Sequence, residues 1–143
     1  MDKKMLVLLG ILAVVMVGCA YAADTSDNST VTVSGFNFTI PDGLSENADE
    51  AIINESDSED GNNYVTNSRT FEDDEHFLVI SVATYEQNIT DDLISDLGDK
   101  TTIGNATGYY DEMGFFAMFS YVQDGSVVFL TSNDKNILEE ALS

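Results

Sequence analysis

Apolar and polar residues alternate through Val31-Thr32-Val33 and again through Phe36-Asn37-Phe38-Thr39-Ile40, with Ser34-Gly35 between them. Alternation is the period of a strand, and two such runs around a two-residue turn predict a β-hairpin. In that register Val33 faces Phe36 and Val31 faces Phe38, so the five apolar side chains share one face. Pro41-Asp42-Gly43 ends the hairpin, because proline cannot continue a ladder and Asp-Gly favours a turn. Residues 45–62 have no clear period and read as a helical turn or a loose crossing. Residues 63–71 and 76–85 read as strands around the acidic turn Glu72-Asp73-Asp74-Glu75, the second apolar and β-branched enough to be central. Residues 89–98 predict a helix, capped by Thr90, with a stripe of Leu93, Ile94 and Leu97 and a stop at Gly98. Residues 100–110 read as one strand in which Gly104 and Gly108 mark a bulge or bend. Residues 115–123 and 126–132 form strands around Asp124-Gly125, the strongest hairpin signal in the chain. Asn133 or Asp134 caps a closing helix whose stripe is Ile137, Leu138, Ala141 and Leu142.

The expected fold class is therefore α+β: a mostly antiparallel sheet with two helices packed on it, preceded by an N-terminal hydrophobic helix. Tyr109, Tyr110, Phe115, Phe116, Phe119, Tyr121 and Phe129 crowd the C-terminal half and are expected to fill the core of that sheet rather than to pave a binding face.

Ahead of the hairpin, Lys3 and Lys4 precede fourteen uncharged, mostly apolar residues, Met5 to Gly18. That is the form of a secretory leader and is short for a membrane span. Three fates compete: cleavage after Ala22, lipidation at Cys19, or an uncut anchor from Met5 to Ala23. Each puts the rest of the chain outside the cytoplasm, and the membrane is a partner only through an uncut or lipidated leader. The expected organisation is a leader or anchor over 1–23, a polar linker over 24–30, and one domain over 31–143. Cys19 is the only cysteine, so the expected domain has no disulfide and must rely on its core.

The chain has 26 acidic and five basic side chains, for a net charge of −21. Only Asp2, Lys3 and Lys4 of these lie in the leader. Such a surface repels nucleic acid and anionic membranes. It also raises cation binding as an alternative, with calcium the cofactor to consider and Asp57, Glu59, Asp60, Asp73, Asp74 and Glu75 as the metal candidates. The EF-hand spacing fails, however: counting back from Gly61, the first ligand positions fall on Ser56 and Ser58.

His76 is the only histidine. It stands among carboxylates and makes a hydrolase the second alternative, but no nucleophile elbow, zinc-protease helix, phosphate loop or dinucleotide fingerprint accompanies it. Five Asn-x-Ser/Thr triplets, at Asn28, Asn37, Asn54, Asn88 and Asn105, are candidate glycan acceptors in an exported chain.

The stretches GFNFTIPDGL, TTIGNATGYY, FSYVQDGSVVFLTSND and KNILEEAL resemble small exported proteins of methanogenic archaea over most of residues 31–142. The order of elements also resembles the Mog1/PsbP α-β-α sandwich. The resemblance implies an accessory or assembly role without catalytic residues, and the matching positions are structural, so no site residue follows from it. The expected function is that of an exported, acidic, non-enzymatic envelope or surface domain whose partner is an envelope or extracellular protein.

Overall fold

A computed structural model describes residues 29–143. The leader, its competing fates, Cys19 and Asn28 lie outside the described residues. Ten strands run in chain order as β1 (Ser29–Val33), β2 (Phe36–Ile40), β3 (Ser45–Glu46), β4 (Ile52–Glu59), β5 (Asn62–Glu72), β6 (Phe77–Tyr85), β7 (Asp99–Ile103), β8 (Ala106–Met113), β9 (Phe116–Gln123) and β10 (Ser126–Ser132). One α-helix, α1 (Lys135–Ala141), follows, and two 3-10 turns occupy Ala48–Glu50 and Asp91–Leu93.

β1 and β2 pair as an antiparallel hairpin, with Val31 opposite Phe38 and Val33 opposite Phe36 as the alternation requires. The other eight strands form one antiparallel sheet in the order β3-β5-β6-β10-β9-β8-β7, with β4 also paired to β5. β6 lies inside the sheet, between β5 and β10. Its side chains are buried on both faces, among them Leu78, Val79, Ile80 and Val82, which is why the run reads as continuously apolar.

The two faces are covered by different means. On one, Val31, Val33, Phe38 and Ile40 of the hairpin and Ile137, Leu138 and Leu142 at the C-terminal end pack against Leu78, Ile80, Phe119, Val128 and Leu130. On the other, Ile94 packs on Met118, Val127 and Phe129, with Leu93, Leu97 and Ile89 beside it.

The molecule is thus not the α+β sandwich with two helices that the pattern suggests. Among the described residues it is mostly antiparallel sheet with one α-helix, and the expected N-terminal hydrophobic helix falls outside them. Residues 89–98 form only the 3-10 turn Asp91–Leu93, and Thr90 makes no side-chain capping bond. The apolar stripe there does face inward, but a segment this short gains little from helix formation, since nucleation is unfavourable and few bonds follow it. Residues 45–62 hold β3, a 3-10 turn and β4, so the acidic stretch is a strand rather than a loop. A register shift between Ile52 and Glu55 bulges β4. Asn54 takes φ +51° there, a conformation asparagine tolerates better than most residues.

Residues 100–110 are two strands, joined at Gly104-Asn105, with Ile103 opposite Ala106. Gly104 has φ +57°, and a Cβ on it would fall 2.5 Å from the Leu142 carbonyl oxygen. The turn needs glycine twice over, for its backbone and for its contact. Among the crowded aromatics, Phe119, Tyr121 and Phe129 are buried as expected, whereas Phe115 is 66 % exposed at the β8–β9 turn.

Candidate functional site

The two acidic groups considered for calcium sit at opposite ends of β5. Asp57, Glu59 and Asp60 belong to the β4–β5 hairpin, which turns at Asp60-Gly61 with φ of +54° and +79°. Asp73, Asp74 and Glu75 form the β5–β6 turn. β5 is 11 residues long, which at about 3.3 Å per residue holds the groups roughly 30 Å apart. Among the described residues no group of three or more His, Cys, Asp and Glu side chains is arranged to hold a metal ion. On β4, Asp57 and Glu59 act on a neighbour instead: Tyr64 has its phenol pKa raised, by burial first and then by those two charges.

His76 is built into a clasp. Asp73 Oδ1 accepts the backbone N–H groups of Glu75 at 2.7 Å and His76 at 2.6 Å. The imidazole stands between two carboxylates, with Nδ1 3.5 Å from Asp73 Oδ1 and Nε2 4.0 Å from Asp134 Oδ2. Asp134 is the N-cap of α1 and accepts the Asn136 N–H at 2.9 Å. Asn133 completes the tie, donating to the Glu75 carbonyl at 2.7 Å and accepting the Phe77 N–H at 3.1 Å. The arrangement joins the β5–β6 turn to the start of α1. Burial disfavours the charge on Asp73, but the two backbone N–H groups and the His76 ring outweigh it, and its carboxyl titrates below the usual range.

A different constellation forms at the end of the sheet where β6 and β9 finish and β10 begins. A cleft of about 550 Å³ opens there, lined by Ser34, Gly35, Phe36, Asn37, Thr84, Asn105, Tyr121, Gln123, Asp124, Ser126 and residues 141–143. Three two-residue turns build its rim: Ser34-Gly35, Gly104-Asn105 and Asp124-Gly125. Asp124 and Gly125 take φ of +49° and +78°, the left-handed pair that joins strands in a tight hairpin. The Asn105 N–H donates to the Leu142 carbonyl and the Tyr85 N–H to the Gly125 carbonyl, both at 3.1 Å, which fixes two of the turns.

The lining is hydrogen-bonding and nearly uncharged. Thr84 Oγ1 and Ser126 Oγ pair at 3.0 Å. Asn37 Oδ1 accepts from Thr32 Oγ1 at 2.6 Å, so its amide N–H groups remain available. Tyr121 is only 6 % exposed, and burial pushes its phenol up to about 12. It therefore stays neutral over the physiological range, a hydrogen-bonding group and not a base.

Gln123, Thr84 and Ser126 carry no site signal in the sequence, which shows them only as ordinary strand residues, and Tyr121 is marked there only as one of the aromatics expected in the core. Asn37 and Asn105 are marked there only as glycan acceptors. All four described acceptors, Asn37, Asn54, Asn88 and Asn105, are exposed, and two of them stand on this cleft. A second groove, of about 370 Å³, runs between β1 and the β4 bulge and is lined in part by the Glu46–Arg69 ion pair.

No family model, curated protein or solved structure matches the chain.

Proposed function

We propose that the chain is an exported, non-enzymatic binding domain that works outside the cytoplasm, through the cleft at the end of its sheet. The single observation that carries this reading is the division of labour between two places. The one histidine is committed to a clasp that ties a turn to a helix, while the cleft offers hydroxyls, amides and a neutral phenol around one acidic side chain, Asp124. Such a lining suits recognition, since it supplies donors and acceptors with no activated nucleophile beside a base. The leader supports delivery across a membrane, and the acidic coat supports solubility in the open.

Binding to native envelope preparations tests it. The full chain is expected to associate saturably, His76→Ala to keep that association, and Gln123→Arg, which crowds the cleft from an exposed position, to lose most of it. Absence of association, or His76-dependent turnover in a screen of ester, peptide and glycoside substrates, would overturn the reading.

A further inference from the structure

We propose that the cleft at the end of the sheet binds a neutral saccharide; the inference rests on the reading that this cleft is the working surface. Four observations lead to that class. The first is an open hydroxyl: Tyr121 is mostly buried but lines the cleft, and its hydroxyl is not among the buried unpaired groups, so it is reached from the cleft. A hydroxyl that opens to the cleft can exchange its water for a ligand hydroxyl at little cost.

The second is the balance of the lining. The side chains of Asn105 and Gln123 have no hydrogen-bond partner among the described residues, and the Asn37 amide N–H groups add two donors. Amides and hydroxyls both give and accept, as sugar hydroxyls do. The third is charge: no Lys, Arg or His lines the cleft, in a chain of net charge −21. Phosphates, nucleic acids and acidic polymers are repelled, and Asp124 is the one acidic side chain a cation would meet on the lining. The fourth is shape. The cleft lies across strand ends, walled by turns, whereas an extended peptide pairs along a strand edge. Its volume is within the roughly 300–1,000 Å³ of small-molecule sites, and Phe36, only partly buried, offers apolar surface to the C–H face of a sugar ring.

The saccharide can arrive in two ways. Asn37-Phe38-Thr39 and Asn105-Ala106-Thr107 are acceptor triplets on the rim, so the ligand is either a glycan carried by the chain itself or one carried by another molecule.

The test uses the full chain, isotope-labelled, unglycosylated and held in detergent micelles, and follows its backbone amides by NMR. Chitohexaose, maltohexaose and mannohexaose are titrated to about 10 mM, enough to fill a site with a Kd of about 1 mM. Saturable shifts at Asn105, Gln123 and Asp124 are expected with at least one of them. Tyr121→Phe, which keeps the ring and removes the hydroxyl, is expected to weaken that binding about tenfold, as is Gln123→Ala, which alters only an exposed side chain. No saturable shift with any of the three sugars, or undiminished affinity in both variants, would overturn the proposal.

Mass spectrometry of the native peptides containing Asn37 and Asn105 then separates the sources once binding is found. A glycan there, with free sugar no longer bound, identifies the chain's own; bare asparagines identify another molecule's. Loss of sugar binding with cleft-dependent envelope association intact would remove this inference and leave the broader reading standing.

Discussion

Ser81 and Ser120 stand in one row on one face of the sheet, separated by Phe129, yet their hydroxyls are placed differently. Ser81 donates to Ser68 at 2.7 Å in a buried pair. Ser120 Oγ is buried with no partner. Removing one member of a satisfied pair orphans the other, whereas removing an orphan relieves a desolvation cost. Ser81→Ala is therefore expected to destabilise the chain by about 1–2 kcal/mol, and Ser120→Ala to be neutral or slightly stabilising. Urea denaturation of the two variants decides the point, and equal losses would contradict it. Nothing in the local sequence separates these serines, because each lies in a β-branched or aromatic run. The difference comes from what the neighbouring strand places opposite them.

At the scale of the element, the clasp makes a prediction about acid. Asp73 titrates below its ordinary value in the folded chain, so it adds stability above the unfolded carboxylate range. That contribution is lost as pH falls through the folded value, below about pH 4. Asp73→Asn keeps one oxygen as an acceptor and removes the titration. Its stability is expected to fall less steeply than the parent's between about pH 5 and pH 2, followed by thermal melting; parallel acid limbs would mean the clasp does not carry the charge assigned to it.

The elements also show what was legible beforehand. The hairpins at Ser34-Gly35 and Asp124-Gly125, the interior strand 77–85 and the closing helix were readable, since their turn residues and their periods agree. Residues 89–98 misled because Leu93, Ile94 and Leu97 bury inward from a 3-10 turn as readily as from a helix. Residues 100–110 read as one strand because Gly104-Asn105 suits a bend within a strand as well as a turn between two. The acidic β4 carried too little apolar pattern to be seen at all, its order coming from pairing with β5. The cleft was the least legible part, because its side chains come from turns and strand ends far apart in sequence, and no local period records that they meet.

For the whole molecule, charge sets the response to salt. With a net charge of −21, self-repulsion weakens the compact state until ions screen it, over about 10 Å at 0.1 M and about 3 Å at 1 M. The melting temperature is expected to rise by several degrees from about 0.01 M to about 1 M NaCl, a shift of about 4 °C per kcal/mol in a domain of this size. Calcium at matched ionic strength should add little beyond this; a much larger rise would revive a specific cation site. Location matters most, because the proposed function places the domain and its ligand outside the cell. The most direct measurement is fractionation of the native host followed by intact mass of the recovered protein. The account predicts recovery from the envelope or the medium, with the leader cut, lipidated or embedded. Full-length, unmodified protein in the soluble cytosol would contradict it.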